Sequence, residues 1–421
     1  MISLYQGDAA LAQLQNLKIP PQDNQAKVQE TVRAILTQVR EEGDQALLRF
    51  AEQFGDPVWS GFTLTESQIQ EAIQSVPEET RQLLQRAARN IRDFSEAAIK
   101  SVQPFRLQKE GFSVGMDWRP VERVACYVPG GRYPLPSTAL MTAITAQVAG
   151  VKEIILLSPD LRPETVYAGT LAGVRHFYCL GGAQAIAAVA YGTQSISAVD
   201  MVVGPGNAYV TEAKRQLQGV IGIDMLAGPS EVAIIADSGA TADWVAYDLL
   251  AQAEHDPNAR VYLFTTSPAL AEQTRQALQA IIERETELPD FLRQGTDWAR
   301  IMVLPSLAQC IDAVNILAPE HLELLVEDPG SIKDSLKHYG ALFMGYHTPV
   351  PIGDYMAGPN HTLPTARSAR FSGALNPLTF LRPQSWIQTS AEARALISDT
   401  QRFAQLEGLT AHALSAGSRL G

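Results

Sequence analysis

From Val28 the apolar residues recur at Val28, Val32, Ile35, Leu36 and Val39, and again at Leu83, Leu84, Ala87, Ala88, Ile91 and Phe94. Steps of three and four residues predict helices with one buried face. Breaks fall near Gly43 and Pro77, and Val102 to Trp118 reads as an extended connection. After Pro120 the pattern changes to short, unbroken apolar runs separated by small-residue helical segments. Strands are predicted at Val121–Val128, Glu153–Leu157, His176–Leu180 and Asp200–Val203, with helices after Ser137 and around Tyr167, Ala187 and Ala213. A second series follows. It has strands at Glu231–Ala236, Val261–Thr265, Arg300–Leu304 and Tyr339–Met344, a helix at Trp244–Glu254, and helices around Leu278 and Val314. Strands buried on both faces and alternating with helices predict α/β units with parallel sheets. Past Gly345 the chain turns loop-like, and Ser390–Leu414 reads as two short helices broken at Gly408, too little to build a core of its own. The layout divides into 1–120 (N-terminal helical segment and extended connection), 121–230 (first α/β domain), 231–378 (second α/β domain) and 379–421 (C-terminal helical tail).

Composition narrows the partners. Across 421 residues, 33 Lys and Arg face 45 Asp and Glu, a net charge of -12, which disfavours nucleic acid and anionic membrane surfaces alike. Cys126, Cys179 and Cys310 are odd in number, far apart and without a C-x-x-C, so neither a disulfide framework nor a thiolate zinc site is expected. The opening residues read as no signal peptide and no stretch as a membrane span, so a cytoplasmic protein is expected.

Four histidines lie among carboxylates, amides or glycine turns: His255, His321, His361 and His412. Gln252 and His255 stand three residues apart near a helix end and so share a face, able to offer an amide oxygen and an imidazole nitrogen to one cation. A solvated helix end is the bland alternative. Asp354 lies in the glycine- and proline-rich GDYMAGPNH, where it can meet a ligand or simply close a turn. His412 sits in the tail. Together Gln252, His255, Asp354 and His412 would form an oxygen and nitrogen donor set suited to zinc or a similar divalent ion. The string APEHLE puts Glu320 and His321 side by side at the start of a strand, two groups able to serve separate proton transfers. Glycine turns at Gly130, Gly181–Gly182, Gly204–Gly206 and Gly228 read as lying at the carboxyl ends of strands, where open parallel sheets bind ligands. No G-x-G-x-x-G follows a strand and no P-loop is present, so the pattern leaves the cofactor open. A metal-dependent hydrolase using Glu320, and a two-lobed binding protein without catalysis, remain compatible with these features.

Five strings in order narrow the choice: VGPGNAYV from Val203, GPSEVAIIAD from Gly228, AEHDP ending at Pro257, APEHLEL ending at Leu324, and GDYMAGPNHTLPT from Gly353. They resemble the histidinol dehydrogenase family from about Val28 to His412. The resemblance implies two consecutive Rossmann-like domains and a homodimer in which the C-terminal tail is exchanged. It also implies oxidation of L-histidinol through histidinal to L-histidine with two NAD, one zinc ion per subunit, and a place at the end of histidine biosynthesis. Carried over by position, Gln252, His255, Asp354 and His412 would bind zinc, His412 reaching the other subunit's site. Glu320 and His321 would be the acid/base pair. Ser230, Glu407 and His321, with the zinc ligands, would contact substrate, and Tyr127, Gln184 and Asn207 would contact NAD. Thr362 stands where an apolar residue is expected in the last string.

Overall fold

The computed structural model describes residues 2–15, 25–55, 62–130, 134–294 and 298–420. The chain opens with strand β1 (Ser3–Gln6) and helices α1 (Asp8–Gln15), α2 (Gln25–Glu42), α3 (Asp44–Phe54), α4 (Glu66–Ser75) and α5 (Glu78–Ile99). An antiparallel hairpin, β2 (Phe105–Lys109) and β3 (Phe112–Pro120), occupies the stretch expected as a plain extended connection. Then come β4 (Arg123–Tyr127), α6 (Pro136–Ala149), β5 (Glu153–Ser158), α7 (Pro163–Leu171), β6 (His176–Cys179), α8 (Gly182–Tyr191), β7 (Met201–Val203), α9 (Ala208–Leu217) and β8 (Gly222–Ile223). The second series is β9 (Glu231–Ala236), α10 (Ala242–Ala253), β10 (Arg260–Thr265), α11 (Pro268–Arg284), β11 (Ala299–Val303), α12 (Leu307–Leu317), β12 (His321–Leu325), α13 (Pro329–Lys333), β13 (Ala341–Met344) and α14 (Val350–Tyr355). The chain closes with β14 (Leu381–Thr389), α15 (Arg394–Leu406) and α16 (Thr410–Gly417).

Both central sheets are parallel throughout. The first runs β6-β5-β4-β7-β8 and the second β1-β11-β10-β9-β12-β13. Their strands are apolar on both sides, EVAIIA in β9 being buried at every position, because helices cover both faces. Leu84, Ala87 and Ile91 of α5 share a core with α6, α7 and one face of the first sheet. Val32, Ile35 and Val39 of α2 share the opposite core with α8 and α9. The N-terminal helices are thus part of the first sheet's packing. The segment is not helical from its outset, since Ser3–Gln6 pairs in parallel with β11 at the edge of the second sheet.

The third sheet, β14-β3-β2, is antiparallel and ties the C-terminal part to the hairpin. All five residues of β2 are exposed, and β14 is exposed along most of its length. Beyond it α15 and α16 pack against each other, with Gly408 (φ 75°) making the turn between them. No helix among the described residues is long and apolar enough to cross a membrane.

Candidate functional site

The amino edge of the second sheet gathers most of the titratable candidates. Helix α12 ends at Ala318 in the left-handed conformation (φ 50°), and Pro319 turns the chain into β12 so that Glu320 and His321 open that strand. Both are buried. The neighbouring strand grips them by its backbone: Glu231 N–H donates to Glu320 Oε2 at 2.8 Å, and His321 Nδ1 lies 3.1 Å from the Glu231 carbonyl oxygen. On its other side His321 Nε2 is 3.5 Å from Asp354 Oδ1, an ion contact longer than a good hydrogen bond. Burial works against charge on the imidazole, yet Glu320 and Asp354 outweigh it and push the His321 pKa up to about 10. Burial likewise disfavours the Asp354 anion, but His321 beside it keeps the carboxyl below its usual range, with His361 and His255 adding to the effect.

Asp354 occupies the last turn of α14, whose first N–H, that of Val350, donates to Glu323 Oε1 at 2.9 Å. Helix α10 returns from the carboxyl edge of β9 and packs on α14, so Gln252 in its last turn and His255 just beyond it approach from the same end of the sheet. Gln252 is buried and His255 exposed. Ser230 immediately precedes β9, its carbonyl accepting the Arg260 N–H at 3.0 Å. The Gly228–Ser230 turn therefore leads into the amino end of β9, which corrects the expectation that all four glycine turns follow strand ends.

The carboxyl edge of the first sheet holds the other group. Tyr127 ends β4, and its hydroxyl accepts the Gly182 N–H at 3.2 Å at the start of α8, where Gln184 is buried in the same turn. Asn207 caps α9: its Oδ1 accepts from Tyr209 N–H at 3.0 Å and Val210 N–H at 3.1 Å, which leaves its amide NH2 for a ligand.

One loop bolts the two regions together. Asn360 Nδ2 donates to the Met141 carbonyl of α6 at 2.8 Å, and His361 joins Thr138 of α6 (3.2 Å) to the Asp354 carbonyl (3.0 Å). Burial lowers the His361 pKa, which suits a neutral bridging imidazole. Thr362 is buried in this loop and its Oγ1 makes no hydrogen bond, the physical counterpart of an apolar preference at that position.

With this geometry in place, the histidinol dehydrogenase family model matches residues 19–420. The chain belongs to the histidinol dehydrogenase family. It is 44% identical over 423 residues to the histidinol dehydrogenase of Parasynechococcus marenigrum, covering 98% of this chain and 95% of that protein. To that of Methanocaldococcus jannaschii it is 41% identical, covering 94% of each. The crystal structure of histidinol dehydrogenase from Elizabethkingia anophelis superposes with a TM-score of 0.93 at 33% identity, covering 100% of this chain and 98% of that one. Membership makes this an oxidoreductase of histidine biosynthesis.

The single chain does not bring all the predicted site residues together. Glu407 and His412 lie in the C-terminal helical pair, both exposed, in a groove formed by α15, α16, the turn between them and Arg419. Among the described residues no three His, Cys, Asp or Glu side chains are gathered to hold a metal by themselves. Gln252, His255 and Asp354 contribute only two side chains of those types. Sequence reasoning missed Glu231, whose backbone holds both Glu320 and His321. Its position next to Ser230 in GPSEV was the available signal. The Glu231 carboxyl is itself pushed up to about 7, by burial and then by repulsion from Glu320.

Proposed function

We propose that this chain oxidises L-histidinol to L-histidine through histidinal, by two successive hydride transfers to two NAD. The observation that carries the reading is the placing of buried His321 between Glu320 (3.6 Å) and Asp354 (3.5 Å) at the end of the sheet where Gln252 and His255 arrive. Zinc fits this donor set: an amide oxygen, an imidazole and a carboxylate kept ionised in spite of burial, with His412 of a second copy as fourth ligand. Bound there, zinc would orient the imidazole and amine of histidinol and compete with His321 for the charge of Asp354.

With Asp354 engaged by the metal, one of the two carboxylates that hold a proton on His321 would be withdrawn, and the neutral imidazole takes the hydroxyl proton as the alcohol becomes the aldehyde. Glu320, anchored by the Glu231 N–H, takes a proton from the water that adds to the aldehyde and leads to the acid. Ser230 and Glu407 hold the substrate's polar groups. Bound to this chain, NAD would supply the hydride acceptor for each oxidation. Its site on Tyr127, Gln184 and Asn207 is supported by the N-termini of α8 and α9 lying along one sheet edge, which favours a pyrophosphate.

A shared dimeric site is supported by the tail. The β14-β3-β2 sheet is largely exposed, α15 and α16 pack chiefly on each other, and Phe403, Leu406 and Leu414 are 63%, 82% and 67% exposed. Two reduced nicotinamides should form per histidinol consumed; a single one, or none, overturns the four-electron reading. Refolding His255→Ala chains together with His412→Ala chains should restore about a quarter of the wild-type sites, since half the dimers are mixed and each mixed dimer regains one intact site. A mixture that stays inactive overturns the exchange.

A further inference from the structure

We propose that Lys214 and Asp224 form a buried clamp that sets the Gly204–Asn207 turn for the dinucleotide, making them positioning residues for cofactor binding. The inference rests on the reading of Tyr127 and Asn207 as cofactor contacts. Lys214 lies on α9 and Asp224 just after β8, with side chains 3% and 0% exposed and Nζ 2.5 Å from Oδ1. Desolvation cancels much of the attraction in such a pair, so a well-packed apolar pair of similar volume would stabilise the fold about as well. The information is in where the remaining bonds go.

They converge on one residue. Lys214 Nζ donates to the Gly204 carbonyl at 2.7 Å, and the Gly204 N–H donates to Asp224 Oδ2 at 2.7 Å. Both polar groups of Gly204 are therefore held from one side, and neither peptide flanking it can flip without losing a buried, charge-assisted hydrogen bond. Gly204 has φ 111°, and a Cβ there would overlap the Tyr127 carbonyl oxygen. This contact falls between β4 and β7. There β4 pairs with β5 on its other side and the order of the sheet reverses, which is where open α/β sheets open a ligand crevice. Lys214 stands seven residues beyond Asn207, on the same face of α9, so the clamp also fixes the cap residue's helix against the turn.

Asp224 ties in the other side of the molecule. Its Oδ1 accepts the Met225 N–H at 2.7 Å, Thr211 Oγ1 donates to the Ala227 carbonyl at 2.9 Å, and the Gly228 N–H donates to Thr365 Oγ1. These bonds pin the stretch that ends at Ser230. A turn without the usual glycine fingerprint thus acquires its rigidity from a charge pair.

The test uses the zinc-loaded full-length protein and titrates NAD directly, alongside histidinol KM and zinc content. Lys214→Met, and the apolar pair Lys214→Met/Asp224→Leu that keeps the variant folded if the single change does not, should raise the NAD Kd at least tenfold. Histidinol KM and zinc content should stay within twofold. Asp224→Asn, which keeps an acceptor for the Gly204 N–H, should fall between wild type and the double variant. Asn207→Ala reports on the underlying reading. If it raises the NAD Kd while a folded double variant leaves it unchanged, the clamp is overturned and the cofactor site stands. If neither moves the NAD Kd, both fall. A proportional loss of NAD affinity, histidinol affinity and zinc would reduce the pair to general support of the fold and overturn the proposal.

Discussion

The two parallel sheets share a strand order around their centres, with the third, second, first, fourth and fifth strands of each series side by side, yet their candidate residues sit at opposite edges. In the first sheet Tyr127, Gly182 and Gly204 lie at the carboxyl edge, where strand-to-helix turns present backbone N–H groups and helix N-termini. In the second, Ser230, Glu320 and His321 lie at the amino edge, where strands begin. The charge is handled differently as well. At the first sheet the buried charges are matched, Lys214 against Asp224. At the second, buried acids outnumber partners: Glu231 is pushed up to about 7 by burial and Glu320, and Glu323 is raised by burial and Asp248. The same topology therefore supplies a preset platform at one edge and a stock of proton-exchanging groups at the other, so function follows the residues and not the strand order.

The largest test of this contrast is chemical. Glu320→Gln should slow the oxidation of added histidinal by about 10²–10⁴-fold while sparing the first hydride transfer from histidinol. His321→Asn should slow the alcohol step. Single-turnover traces separate the two, and equal losses on both substrates in Glu320→Gln would erase the division of labour at the amino edge.

A smaller effect is expected in stability. A Glu231 carboxyl with its pKa raised from 4.5 to about 7 keeps its proton longer in the folded chain than in the unfolded one. Folding therefore loses stability as pH rises between those values, and the loss is complete above the upper one. Glu231→Gln escapes that loss. It should be more stable than wild type at pH 8, by up to about 3 kcal/mol, with the difference vanishing near pH 4.5 in urea titrations. A pH-independent difference would mean that Glu231 is not a strained acid.

Backbone substitutions give the smallest contrast. Gly204→Ala meets both a left-handed φ and the Tyr127 carbonyl, and should cost about 1–3 kcal/mol. Gly228→Ala at the other edge meets nothing nearer than Thr365 Oγ1, at 3.2 Å and without positive φ, and should cost less than about 1 kcal/mol. Thermal unfolding of the two variants compares them directly. Equal costs would remove the distinction between a preset turn and an ordinary one.

Much of the α/β core was legible because its strands announce themselves locally: EVAIIA is an unbroken apolar run after its first residue and coincides with β9 residue for residue. Five strands gave no such signal, the β2–β3 hairpin among them, since Val102 to Trp118 reads only as an extended connection. β8 has two residues, β14 is LRPQSWIQT with most side chains in solvent, and β1 gains its role only by pairing with β11 far along the chain. Pairing between distant segments leaves no mark on either one's periodicity. The site divides in the same way. Glu320 and His321 stood out as adjacent functional groups opening a strand, and Gln252 and His255 as a helix-face pair. Asn207 offered only a place in a glycine turn, and Lys214 and Asp224, ten residues apart, offered nothing until the fold closed them on Gly204.

The pairing of Ser3–Gln6 with Arg300–Val303 also sets an order of events during synthesis. At about 5–20 residues per second, roughly 15–60 s separate the translation of β1 from that of its partner β11. All five strands of the first sheet emerge in that interval, so that sheet can form while β1 is still untethered. β1, translated before the whole of the first sheet, is then among the last strands to dock, and until it arrives the outer edge of β11 is an open template for unwanted pairing on the ribosome.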